Sequence, residues 1–87
     1  MAVVHVPSPL YTYTKHRAKV NADGGTIGAI LDDLDRRYPG FRFRVVDEQG
    51  AIRPTLLFYL NGQVIRTLAQ PIGNSDEVHI IAALSGG

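Results

Sequence analysis

Only one stretch of the chain carries a helical hydrophobic period, and that limits the fold more than any other feature. Ile27, Ile30, Leu31 and Leu34 fall at i, i+3, i+4 and i+7, a single apolar stripe. Asp32, Asp33, Asp35, Arg36 and Arg37 fill the opposite face. Thr26 stands where an N-cap belongs, its hydroxyl able to accept an orphan N–H. Arg36 and Arg37 suit the negative end of the helix dipole. Pro39-Gly40 ends the element. One amphipathic helix has one face to bury, and a sheet is the surface that takes it. At 87 residues there is room for one such core and no second domain.

The remaining segments supply strands. Ala2 to Val6 is β-branched, short, and ended by Pro7 and Pro9. Ser8 to His16 reads as a turn. Arg17 to Ala22 alternates polar and small apolar residues, as a strand with one wet face does. Phe41 to Val46 alternates like a strand but equally suits a packed loop or short turn behind the helix. Asp47-Glu48-Gln49-Gly50 is a polar turn. Thr55 to Leu60 is nearly all apolar and reads as a central strand buried on most of both faces. Asn61-Gly62 signals a type I′ hairpin returning through Gln63 to Arg66. Glu77 to Ala83 is a last strand, long enough for the sheet interior. The predicted order is β-β-α-irregular-β-β-β: an α+β domain over residues 1–83, with four to five strands packed on one main helix.

Composition removes several kinds of chemistry. The chain has no cysteine, which excludes disulfides, thiolate metal sites and a cysteine nucleophile. It also suits a cytoplasmic setting. Met1 to Val6 is too short for a signal peptide, and no apolar run approaches a membrane span. A net charge of +1 and a pI near 8.2 fall short of a nucleic-acid footprint. Lys15, His16, Arg17 and Lys19 form a small basic cluster without a stacking platform, so a solubilising hairpin is the default reading. Ser8, Ser75 and Ser85 lack a nucleophile-elbow context, and no phosphate-binding glycine loop is present. Asp32, Asp33 and Asp35 read as a solvated helix face rather than paired acid–base groups. His5, His16 and His79 share no ligand spacing and no third ligand type beside them, so no metal site is expected. His79 should point off the last strand, opposite Val78 and Ile80.

Two features remain. The first is the Gly86-Gly87 end, either a frayed tail or a thin thread for a partner's active site. Glycine has no Cβ, so its backbone can approach another backbone or a nucleotide closely. A carboxylate on Gly87 would be open to adenylation and then to a nucleophile. With no ATP site of its own, the chain would need a second protein to activate it. The second feature is sheet exposure. One helix covers one face, so either Leu57 and Tyr59 or Leu56, Phe58 and Leu60 must face outward, with Val64 and Ile81 on neighbouring strands. An open apolar face marks a docking surface, unless the Phe41–Pro54 segment folds over part of it.

In this order the elements resemble the ubiquitin-like β-grasp sulfur carriers of the ThiS/MoaD superfamily, over essentially the whole chain. The resemblance is carried by Val6-Pro7-Ser8-Pro9-Leu10, Gly25-Thr26-Ile27, and Leu34 through Tyr38-Pro39-Gly40. It continues in Asp47-Glu48-Gln49-Gly50, Leu60-Asn61-Gly62, Asp76-Glu77-Val78 and the Gly-Gly end. The Pro-x-Pro-Leu start and the Tyr-Pro-Gly segment look more like the molybdopterin-synthase and cysteine-synthase types than the thiazole type. Ser75-Asp76 stands where those relatives usually have Gly-Asp. The ending Ala82-Ala83-Leu84-Ser85-Gly86-Gly87 lacks their proline, which should make the tail less stiff.

The resemblance implies a carrier, not an enzyme. A ubiquitin-activating-type enzyme would adenylate Gly87 with ATP and magnesium. A sulfur donor, such as a cysteine desulfurase or rhodanese-type protein, would supply the sulfur of a C-terminal thiocarboxylate. A biosynthetic enzyme would accept that sulfur. Residues 84–87 would form a flexible tail, with Gly86, Ser85 and Leu84 entering the partner. Val64 and Ile81 match docking positions of molybdopterin-type relatives, and Tyr59 joins them. No cofactor, metal, nucleic acid or membrane is expected to be bound. The competing readings are a subunit of a molybdopterin-synthase-type complex, a ubiquitin-like protein modifier, and a plain β-grasp binding module.

Overall fold

The helical stripe forms α1 (Ile27–Arg37) in the computed structural model, which describes residues 1–82. Thr26 is its N-cap, the Thr26 hydroxyl accepting the Ala29 N–H at 3.1 Å. The N–H groups of Ile27 and Gly28 donate to the carbonyls of Gln70 and Leu68 at 3.0 and 2.9 Å. These bonds satisfy the donors that a helix start leaves open and fasten it to a loop. Ile27, Ile30, Leu31 and Leu34 are fully buried, as the stripe requires.

Five strands form one mixed sheet: β1 (Ala2–His5), β2 (Lys19–Ala22), β3 (Leu56–Leu60), β4 (Gln63–Ile65) and β5 (Glu77–Ala82). Their order across the sheet is β2-β1-β5-β3-β4. β1 and β5 run parallel, and every other pair is antiparallel. Val4, Phe58, Val78 and Ile80 point from the sheet into a core shared with α1. Asn61 and Gly62 take φ values of 52° and 84°, the two positive angles of a type I′ turn between β3 and β4.

Three expectations change. Phe41 to Val46 is not a strand or an irregular loop: Phe41–Val45 is a short helix, α2. Phe41 and Val45 are fully buried while Phe43 is 55% exposed. An i, i+4 pair and a period-2 pattern place apolar residues at the same positions here, so alternation alone could not separate them. Gly40 turns the chain at φ 92°, and the Asp35 carboxylate accepts the N–H groups of Gly40 and Arg42 at 3.1 Å each. Ser8 to Tyr13, read as a turn, is a 3-10 helix that buries Leu10.

The third change concerns β3. It is the second strand from an edge, and only Leu56, Phe58 and Leu60 are buried, with Leu57 and Tyr59 half-buried on the other face. The central strand is β5, which alternates as Glu, Val, His, Ile, Ile, Ala because one of its faces is open. α2 packs against α1, on the covered side of the sheet, and leaves Val64 and Ile81 39% and 45% exposed. Among the described residues, no helix is long and apolar enough to cross a membrane.

Candidate functional site

The open face of the sheet is built by register. Lys19 stands opposite His5, His5 opposite His79, His79 opposite Tyr59, and Tyr59 opposite Val64. These five residues form one row across all five strands. Side chains of one row share a face, and so do those two positions along each strand. The next row toward the C-terminal end of β5 pairs Ile81 with Leu57, and the next toward its start pairs Glu77 with Val3.

The face is therefore divided. Tyr59, Val64, Ile81 and Leu57 make an apolar half over β3, β4 and the end of β5. His5, Glu77, His79 and Lys19 make an ionisable half over β1, β2 and the start of β5. An apolar patch with a charged border has the anatomy of a protein-docking surface. Tyr59, Val64 and Ile81, singled out from the sequence, all lie on this one patch. Leu84, Ser85, Gly86 and Gly87, the other four site residues, lie outside the described residues, as does Ala83.

Beside Ala82, the last residue of β5, a groove opens between Leu10, Tyr13, Phe43, Arg44 and Arg53. The Arg44 guanidinium lies 5.4 Å from the Tyr13 ring centroid, and that of Arg53 lies 4.7 Å from the Phe43 centroid. Arg44 Nε also donates to the Tyr13 hydroxyl and Arg53 Nε to the Phe43 carbonyl, so both cations are held in place on a rim that they share with Glu48.

The acidic residues of α1 serve structure, and each has its own partner. Asp33 accepts the Asp23 backbone N–H at 3.0 Å and pairs with Arg36 and Arg37 at 2.8 Å each. The Asp23 N–H first, then the two guanidinium groups, hold its carboxyl down at about 2. Arg37 also donates to the Asn21 carbonyl, so the end of β2 and α1 are clamped together. Asp35 caps α2, and Asp32 lies 2.9 Å from Arg42 Nε, close in charge but without hydrogen-bond alignment. No pair among them is poised for acid–base work.

One cluster was not legible in the sequence. His5 Nε2 donates to Glu77 Oε1 at 2.6 Å, and the His5 and His79 rings stack with centroids 4.0 Å apart and planes 3° from parallel. The His5 hydrogen bond and its nearby charge hold the Glu77 carboxyl below its ordinary range. Spacing predicts no third ligand type beside the histidines, yet Glu77 stands two residues before His79 on the same face of β5, and the parallel pairing of β1 with β5 brings His5 to both. The local signal was the alternation of β5, which puts Glu77 and His79 on one face, while His5 comes from a strand distant in sequence.

Comparison with known proteins agrees with this geometry. The sequence matches the model of the ThiS family over residues 4–87. It is 33% identical over 89 aligned positions to the sulfur carrier protein CysO of Mycobacterium tuberculosis, covering 97% of this chain and 96% of that one. The crystal structure of M. tuberculosis CysO superposes with a TM-score of 0.91 at 30% identity, over 97% of this chain and all of the other. A chain in the crystal structure of the Amycolatopsis orientalis BexX/CysO complex gives 0.92 at 29% identity, over the whole of both chains.

Proposed function

The chain belongs to the ThiS family, and from that premise we propose that it is a sulfur carrier for a biosynthetic reaction. The observation that carries the reading is the match to sulfur carriers along residues 4–87, through to the Gly86-Gly87 end. The protein is a carrier and co-substrate, not a catalyst. Its own residues agree with that role, since it has no cysteine nucleophile and no phosphate-binding loop.

In this reading a ubiquitin-activating-type partner adenylates the Gly87 carboxylate with ATP and magnesium. The persulfide of a desulfurase or rhodanese-type donor then attacks the acyl adenylate and expels AMP, and a thiol cleaves the resulting acyl disulfide, leaving a thiocarboxylate and a disulfide on the donor side. That soft nucleophile delivers sulfur to an intermediate held by an accepting enzyme. Leu84, Ser85 and Gly86 let the end reach into each partner, because two glycines carry no side chain to obstruct the approach. Tyr59, Val64 and Ile81 dock the body of the domain. The BexX/CysO complex supports docking of a domain of this kind on a partner protein. The setting is the cytoplasm, where ATP and the activating enzyme are at hand.

The test is the intact mass after incubation with ATP, magnesium, a sulfur source and host extract. Replacement of one terminal oxygen by sulfur is expected, and a chain lacking Gly87 should show none. Melting of the shortened chain should change by less than about 1 kcal/mol, as for other changes away from a core. An extract that activates a known carrier but gives this chain no adenylate, thiocarboxylate or conjugate overturns the proposal. A ladder of larger species carrying a Gly-Gly remnant would identify a protein modifier instead.

A further inference from the structure

We propose that His5, Glu77 and His79 form a binding site for a divalent transition cation of the zinc class. The inference does not rest on the sulfur-carrier reading. It begins with the sheet. β1 and β5 are parallel neighbours with His5 opposite His79, and Glu77 lies two residues before His79 on the same face. Three donor side chains therefore project together from two hydrogen-bonded strands. Those strands are the middle of the sheet, so the backbone beneath the ligands is held on both sides.

The ligand atoms already stand close. One nitrogen from each imidazole and one carboxylate oxygen all lie within 4.8 Å of one another. Bond lengths of about 2.0–2.2 Å to a tetrahedral zinc place neighbouring ligand atoms roughly 3.3 Å apart. Closing that gap takes side-chain rotation alone, because His79 and Glu77 are exposed and His5 is only half-buried. The parallel rings must splay at their edges so that both lone pairs converge. The ion would replace the proton shared between His5 and Glu77. Water would fill the remaining position.

The donor set selects the class of metal. Two imidazoles and one carboxylate suit zinc and its first-row neighbours. Calcium and magnesium prefer all-oxygen surroundings and are not expected to bind here. Lys19, across from His5, is the cation that faces the site, and it opposes a second positive charge. The affinity should therefore be micromolar rather than nanomolar. Because His79 pairs directly with Tyr59, an occupied site would set a dication at the border of the apolar half of the face.

The experiment is a calorimetric titration of zinc chloride into the metal-free full chain, made without a histidine tag and in a non-coordinating buffer. One equivalent should bind, with the ring nitrogens of His5 and His79 shifting in a long-range proton–nitrogen spectrum. His79→Gln and Glu77→Gln should each weaken binding roughly tenfold or more, since losing even an outer-shell partner costs that much. His16→Gln removes the remaining histidine and should leave binding unchanged. Magnesium chloride should give no heat of binding. Backbone spectra of each variant establish that the fold is kept. Zinc binding that is absent at millimolar concentration, indifferent to His79→Gln, or abolished by His16→Gln overturns the proposal.

Discussion

Replacing Asp33 by Asn should weaken the fold near neutral pH and leave it unaffected near pH 2. In the folded chain the Asp33 carboxyl is lowered from an ordinary 3.8 to about 2. The Asp23 N–H is the largest cause, and the Arg36 and Arg37 side chains add to it. The folded state thus binds this proton less readily than the unfolded chain does. The resulting stability is fully present above about pH 4 and is lost as pH falls toward 2. Taken at face value, the gap corresponds to at most about 2.4 kcal/mol. Asp33 is only 13% exposed, but Arg36 and Arg37 are 73% and 41% exposed, so water screens much of their attraction. About 1 kcal/mol remains for the charge, since the Asn amide oxygen can still accept one N–H.

Urea unfolding followed by far-UV circular dichroism reads this directly. With a slope of about 1 kcal/mol per molar urea, the midpoint should drop by about 1 M near neutral pH. The two midpoints should then converge through the acid range. Glu77 titrates in both proteins, so the difference between them isolates Asp33. Equal midpoints near neutral pH, or a difference that persists undiminished near pH 2, would refute the electrostatic clamp.

Other perturbations separate space, backbone angle and docking. At Gly24 an added Cβ would lie 2.7 Å from Ala29 Cβ and 2.9 Å from backbone atoms of Ala29 and Ile30, at φ +151°. Gly24→Ala should therefore cost about 2–3 kcal/mol in thermal melts. Gly50→Ala faces open space at φ +82° and should cost only about 1 kcal/mol. Phe58 is fully buried, and Phe58→Ala should cost about 3–5 kcal/mol, enough to abolish a cooperative melt in a domain this small. Ile81→Asp and Val64→Asp lie half-exposed on the open face and should cost about 1 kcal/mol in stability, leaving the chain folded, while lowering transfer of sulfur to Gly87 by the host extract.

The elements that were legible are those whose signal is local. The stripe from Ile27 to Leu34 with Thr26 before it specifies α1 and its cap, because a helix repeats over a few residues. Asn61-Gly62 specifies a hairpin, because only certain residues take two positive φ angles in succession. Alternation in Glu77 to Ala82 shows which of its side chains face outward, while Val64 and Ile81 were marked by the family resemblance and the strand register joins them with Tyr59. The Gly-Gly end is a statement of sequence alone.

Tertiary structure decided the rest. Phe41, Phe43 and Val45 satisfy a strand pattern and a short helix equally, and packing against α1 selects the helix. Nothing local in Glu77 to Ala82 says that it lies between β1 and β3, since a strand's neighbours depend on how the whole sheet closes. That placement, a parallel pairing between segments some seventy residues apart, is what sets His5 against His79 and Glu77. Local sequence determined which side chains point out of β5, while on the nearly all-apolar β3 it left both faces open and packing against α1 chose Leu56, Phe58 and Leu60 for the core. Only the register between distant strands decided which of them meet.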